Sequence, residues 1–228
     1  MRTDVKRACL ALAVVLCTVV QAWAVLSTTA YPSGDTWLNG HDSGQEFTNY
    51  GNDYYLRVFG SEQSGQNKPE KNTLVRFSLP SLPGGYHIQG ATVRMYYCEY
   101  EVMDSSDYVY VGLYAVQPTR TWTERGANWY TTNGSSYWTQ AGCESATVDR
   151  YDTLLGSQLF TRSTPFGDKD WSNSSLTQTV RDWYSGALTN NGIVARTYQH
   201  YSGYEGVVFY SNNEGAGRDP RLLIDYTL

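Results

Sequence analysis

Apolar and polar residues alternate through most of the chain, the period expected of strands with one buried face and one wet face. In 73–79, Val75, Phe77 and Leu79 share one side, and Arg76 and Ser78 share the other. In 91–98 the inward set is Ala91, Val93, Met95 and Tyr97, which leaves Arg94, Tyr96 and Cys98 pointing outward. Further strands read at 54–59, 108–116, 158–163, 192–198, 206–211 and 221–227. Turn residues separate them, as in Leu82-Pro83-Gly84-Gly85, Asn190-Asn191-Gly192 and Asn212-Asn213-Glu214-Gly215. Many short strands punctuated in this way predict an all-β sandwich or barrel. One segment departs from period two. Leu176, Val180 and Trp183 fall at helical spacing, a serine can cap the start, and Gly186 stands where a helix ends. The expectation there is one short helix on the rim. The stretch 61–72 is polar and turn-rich and reads as a mobile loop. There is no internal repeat and no linker, so 25–228 reads as one domain.

The first residues change the picture. A net-positive start, with Arg2, Lys6 and Arg7 against Asp4, runs into the apolar segment 8–20 and then Ala22-Trp23-Ala24. That is the pattern of a cleaved signal peptide over 1–24, and it predicts a secreted, extracellular protein. Leu16 is too large for the position before a lipidated cysteine at Cys17. Losing the leader moves the net charge from −5 to −7. Such a balance argues against nucleic acid and anionic membrane surfaces as partners. No later stretch approaches the length of a membrane-inserted helix.

Cys9 and Cys17 leave with the leader, so Cys98 and Cys143 remain. Two cysteines in an oxidising compartment predict a disulfide, which would contribute about 4 kcal/mol for a ring of this size. Twenty Tyr and seven Trp suit pleated surfaces, and they supply apolar faces on which a pyranose ring can stack or a core can pack.

Signatures of catalysis are sparse. His41, His87 and His200 lack zinc spacing. Gly40-His41-Asp42-Ser43-Gly44 resembles a nucleophile elbow with the serine one position off. Glu99 with Glu101, Asp104 with Asp107, and Asp168 with Asp170 are the carboxylate pairs a glycosidase or lyase would need to oppose, and each lies in a polar stretch. The acids and amides Asp35, Asp42, Glu46, Asn49, Asn52 and Asp53 concentrate oxygen donors suited to structural calcium, with Asp35 the expected ligand. Sequons occur at Asn133 and Asn173.

The order of several motifs resembles the DNRLRE-type domain, a family grouped with polysaccharide-binding modules. The resemblance rests on Asp35-Thr36-Trp37-Leu38, Asn49-Tyr50-Gly51, Leu56-Arg57-Val58 and Leu74-Val75-Arg76-Phe77-Ser78-Leu79. It continues through Ile88-Gln89-Gly90-Ala91-Thr92-Val93-Arg94-Met95, then Trp122-Thr123-Glu124 with Asn128-Trp129, then Val180, Trp183, Gly186 and Asn191-Gly192. It closes on Ser211-Asn212-Asn213-Glu214 and Pro220-Arg221-Leu222-Leu223-Ile224-Asp225-Tyr226. The hexapeptide for which the family is named is missing, and 130–170 is longer than the usual connection. The resemblance implies a jelly-roll-like β-sandwich that binds polysaccharide, acidic in some relatives, through basic residues on one sheet face. Arg57, Arg76 and Arg94 are the residues it marks for that role, since guanidinium groups can grip a carboxylated sugar with two hydrogen bonds. The expected protein is therefore a non-catalytic polysaccharide-binding domain. The alternatives are a self-associating or adhesive extracellular protein, and a polysaccharide-cleaving enzyme.

Overall fold

The computed structural model describes residues 24–61, 70–101, 103, 107–200 and 204–228. Residues 1–23 of the expected leader, Asp104 and most of the loop expected over 61–72 lie outside the described residues. Described are β1 (Leu26–Asn39), β2 (Tyr55–Ser61), β3 (Lys71–Ser78), β4 (His87–Glu101), β5 (Tyr108–Ala115), β6 (Ser157–Thr161) and β7 (Gly167–Trp171). They are followed by α1 (Ser174–Ser185), β8 (Ile193–His200), β9 (Tyr204–Tyr210) and β10 (Arg221–Thr227). Every strand pairing is antiparallel.

The all-β class with a single helix is what forms. The strands join into one hydrogen-bonded sheet in the order β1-β10-β4-β9-β2-β3-β8-β5-β6, with β7 added to β4. β1 is the joint. Its first residues, Leu26 to Ala30, pair with β10, and Tyr31 to Asn39 pair with β3, the register shifting at Pro32/Gly34. Proline lacks the ladder N–H, so a bulge is where such a strand can change partners. The path β1-β10-β4-β9-β2-β3 thus returns to β1.

The parity along β4 is the expected one: Ala91, Val93, Met95 and Tyr97 are buried, and Arg94, Tyr96 and Cys98 face outward. The inward residues join Val58, Phe77, Val111, Phe160, Trp171 and Phe209 in the main core. Helix α1 seals this core with Leu176, Val180 and Trp183. Its cap is Asn173 rather than a serine: Asn173 Oδ1 accepts from Leu176 N at 2.7 Å, and Gly186 ends the helix at φ 76°. Arg181 then donates twice to Ile88 O, at 3.0 and 2.6 Å, and ties the helix to β4. Among the described residues no helix is long and apolar enough to cross a membrane.

A second, smaller core lies on the outer side of β3, β8 and β5. Leu74, Val194 and Tyr114 project away from the main core and meet Trp122, Trp129, Trp138 and Cys143. The connection from 117 to 156 folds over the sheet to supply these side chains. Gly40 and Gly142 press against the Trp129 indole so closely that a Cβ would stand 2.3 and 2.4 Å from it. The Gly40-to-Gly44 loop is therefore a cradle for Trp129, and Ser43 within it is exposed.

The disulfide does not form: Cys98 and Cys143 are both free thiols. Cys98 lies at the bulge in β4, where its Sγ donates to Val208 O at 3.3 Å. Cys143 is enclosed in the second core at φ 64°, and its Sγ donates to Asp149 O at 3.7 Å. Counting cysteines reports how many there are but not which layer each occupies. Burial pushes the Cys98 thiol up to about 12 and the Cys143 thiol well above its ordinary value.

Candidate functional site

The outer face of β4, β9 and β2 stays open. Strand alternation puts Tyr96 from β4, Tyr210 from β9, and Tyr55 and Arg57 from β2 on this side. Tyr55 and Tyr210 are register partners with ring centroids 5.7 Å apart, and Tyr96 stands 5.6 Å from Tyr210. The turn after β9 adds Asn213, Glu214 and Arg218, and the exposed Tyr54 completes a shallow cleft of about 390 Å³. Arg218 lies 3.9 Å over the Tyr210 ring and 5.6 Å from that of Tyr96, a cation–π arrangement, and pairs with Glu214. The pair holds the Glu214 carboxyl below its ordinary range, first through the Arg218 hydrogen bond.

The turn that carries these groups is well tied down. Ser211 Oγ donates to Asp53 O at 2.5 Å, and Asn213 Nδ2 donates to Gly51 O and Asp53 O at 3.3 Å each. Asn212 N donates to the buried carboxylate Asp35 Oδ2 at 2.8 Å. Loop groups held on a rigid sheet in this manner are suited to recognition.

The three expected arginines do not stand in a row. Arg57 borders the cleft: its guanidinium is 6.0 Å from Tyr55 and 5.5 Å from Trp37, and it pairs with Glu101 at 3.3 Å. Arg94 faces outward two residues before Tyr96 and binds Asp170 with two hydrogen bonds of 2.7 Å. Asp170 is its register partner on β7. Arg76 sits elsewhere, donating to Ser33 Oγ at 3.3 Å and Trp122 O at 3.2 Å, where it fastens the long connection to β3. Tyr54, Tyr210, Glu214 and Arg218 were not singled out as ligand-contacting residues by the sequence. Only the four-residue spacing of Glu214 and Arg218 around Gly215-Ala216-Gly217 hinted at their pairing.

Other candidate groups are engaged. Glu101 holds both Arg57 and the buried Lys71, the latter at 2.6 Å. Asp168 reaches Arg221 at 3.5 Å and Arg94 at 3.6 Å. His41 Nδ1 is 2.8 Å from Asp42 Oδ1, and its ring meets Phe59 edge-on. Asp35 is buried on β1 away from the cleft opening, and burial pushes its carboxyl up to about 7, with Glu124 and Asp219 adding repulsion against the Asn212 hydrogen bond. Among the described residues no three His, Cys, Asp or Glu side chains form a metal-holding group by themselves. The sequon residue Asn173 uses Oδ1 for the helix cap and Nδ2 on Leu154 O at 3.0 Å, whereas Asn133 organises a surface turn through Ser135 and Ser136.

A closed antiparallel sheet with one wet face of tyrosine and arginine defines an all-β domain with a shallow surface cleft. The chain belongs to carbohydrate-binding module family 96, whose model matches residues 27–154. No curated protein matches it. The matched part supplies Tyr54, Tyr55, Arg57 and Tyr96, while Tyr210, Asn213, Glu214 and Arg218 follow it in the chain.

Proposed function

We propose that this is a secreted, non-catalytic domain that holds an acidic polysaccharide in the Tyr54–Tyr55–Tyr210–Arg218 cleft. The observation that carries the reading is the tyrosine cluster with two guanidinium groups at its surface, in a chain that belongs to a carbohydrate-binding family. Tyrosine rings offer apolar faces to a pyranose, and their hydroxyls remain free to bond its edge. Arg218 and Arg57 would meet the carboxylates of a uronate chain, as planar two-donor groups do. A shallow cleft suits a polymer that passes across it. Three of the acids that cleavage chemistry would use, Glu101, Asp168 and Asp170, are committed to arginine and lysine partners, which favours binding over catalysis. The sheet ends on β6, and β7 is attached only to β4. Both are strands of five residues, short edges that favour a ligand-binding face over strand-to-strand assembly.

The test is binding of the purified protein to alginate, pectin, chitin and cellulose, with Tyr210→Ala, Arg218→Ala and Arg76→Ala alongside. The expected result is saturable binding to the two uronate polymers, weakened roughly tenfold by each cleft substitution and unchanged by Arg76→Ala. A folded protein that binds none of the four, or binds equally well without Tyr210 and Arg218, overturns the proposal.

A further inference from the structure

A pocket of about 410 Å³ opens between α1 and the 151–155 stretch of the long connection, and it shares no residue with the tyrosine cleft. Its apolar lining is Ala115 at the end of β5, with Leu155 and Leu188. The walls are fastened to one another. Tyr151 N donates to Ala115 O and Leu155 N to Leu113 O, each at 2.8 Å, so the connection is pinned to β5. Asn173, the cap of α1, reaches Leu154 O with Nδ2 at 3.0 Å and joins the helix to that wall. At the other end Gly186 turns the chain, and Leu188 N returns to Asp182 O at 3.1 Å. A concavity tied in this way is formed before any ligand arrives. Its polar groups are mostly hydroxyls. Ser175, Thr179 and Asp182 fall at i, i+4 and i+7 and so share one face of α1, and Tyr151 adds a fourth group from the connection. The hydroxyls of Ser175, Thr179 and Tyr151 make no hydrogen bond to another described residue. Gln178 Nε2 donates to Asp182 Oδ1 at 2.8 Å, which holds the carboxylate and leaves Oδ2 as an acceptor. Among the described residues no lysine, arginine or histidine lines the pocket.

We propose that this pocket binds one uncharged hexopyranose ring, with Asp182 as its principal acceptor. The chemistry selects the class. Sites for small ligands run from about 300 to 1,000 Å³, mostly apolar with a few placed polar groups, and this pocket falls at the lower end of that range. It suits a terminal or branching sugar rather than a run of polymer. A pyranose sets its apolar face against Ala115, Leu155 and Leu188 and turns its hydroxyls to the rim. A fixed carboxylate can accept from two neighbouring hydroxyls at once, and such charge-assisted bonds are the strong ones. The hydroxyls of Ser175, Thr179 and Tyr151 can each donate or accept, as a ring of alternating donors and acceptors requires. A uronate, by contrast, would bring its own carboxylate against Asp182 with no cation to offset the repulsion. The pocket therefore rejects the ligand class proposed for the cleft. Two sites of opposite preference on one domain would let it join an acidic chain to a neutral one. The pocket does not depend on the polysaccharide reading of the cleft.

The purified protein is titrated by calorimetry with the methyl glycosides of glucose, galactose and mannose, and with methyl glucuronide as competitor. Asp182→Asn, Thr179→Val and Tyr210→Ala run alongside. The expected result is saturable binding of at least one neutral glycoside, with Kd about 1 mM or lower, that the glucuronide does not displace. Asp182→Asn should weaken it roughly tenfold or more and Thr179→Val by less, while Tyr210→Ala leaves it unchanged. Asp182 and Thr179 are half-buried on α1, so both variants should unfold near the wild-type temperature. Failure of all three neutral glycosides to bind overturns the proposal. Unchanged binding in both helix variants overturns it by placing the sugar elsewhere, and loss of binding in Tyr210→Ala does so by placing it in the cleft. Displacement by the glucuronide refutes the charge argument and the proposal with it. Failure of the uronate polymers to bind, with the neutral glycoside still held, would overturn only the reading of the cleft.

Discussion

The outer surface of this sheet has two halves built from the same kind of strand and put to opposite uses. Over β3, β8 and β5, the outward positions Leu74, Val194 and Tyr114 are apolar or aromatic and lie under a second core of Trp122, Trp129 and Trp138. Over β4, β9 and β2, the outward positions Tyr96, Tyr210, Tyr55 and Arg57 stay open to water. The difference follows from the connection that each half receives. The long segment after β5 carries three tryptophans and folds back as a lid, whereas the turn after β9 is polar and rests beside the sheet. Tryptophan and tyrosine separate accordingly. The six described tryptophans are all buried, and the cleft is tyrosine. The hydroxyl lets a tyrosine ring stay half in water where an indole of larger area is better used in packing.

Substitutions can break or sharpen this contrast. Trp122→Ala removes a side chain that is fully buried and donates from Nε1 to Asn191 O at 2.7 Å. It should cost about 3–5 kcal/mol in urea unfolding, and a cost near zero would mean that the covered half is no true core. Gly40→Ala forces a methyl group against the Trp129 indole and should cost about 1–3 kcal/mol in the same assay. Tyr210→Ala should do the reverse, lowering polysaccharide affinity roughly tenfold with stability changed by about 1 kcal/mol or less.

A pH series separates the cleft from the rest. Glu214 titrates below the ordinary carboxylate range because Arg218 stabilises its anion, so the ion pair is intact above that range and is lost only as pH falls through the lowered value. Binding should therefore hold from neutral to mildly acidic pH and change only in stronger acid, and Glu214→Gln should remove the part of that change that comes from the ion pair while leaving the part that comes from protonation of the uronate. The smallest effect belongs to Arg94→Ala. Its exposed pair with Asp170 should contribute about 0.2–1 kcal/mol to stability, and its loss should weaken binding less than Arg218→Ala does.

Much of the fold was legible because strand parity is local. The alternation of Val75 with Arg76, and of Met95 with Tyr96, placed each residue on its observed side, and all eight expected strands form with ends shifted by a few residues. β7 escaped notice because Gly167-Asp168-Lys169-Asp170-Trp171 looks like a solvated loop, and its strand state comes from antiparallel pairing with β4, a distant segment, with ion pairs to Arg94 and Arg221 beside it. The length of β1 was hidden by Pro32 and Gly34, which bound a register shift just past the point where it changes partners. Of the three expected arginines, Arg57 lies nearest the cleft, 6.0 Å from the Tyr55 ring. Arg76 and Arg94 are outward, as expected, yet one fastens a loop and the other is held by β7.

The motifs of the sequence carried its likeness to a carbohydrate-binding module family, and its pattern by itself determined the all-β class, the single helix and the face on which each strand residue lies. These depend on periods of two and 3.6, which a chain carries along its own length. Only the tertiary structure decided that Cys98 and Cys143 remain apart, that tryptophan is used for packing and tyrosine for the cleft, and that Arg218 comes to lie on Tyr210. It alone brought Asp35 into hydrogen-bond contact with both Asn212 and Glu124. Those are encounters between segments far apart in the chain, and the closure of the sheet around β1 is what brings them within reach.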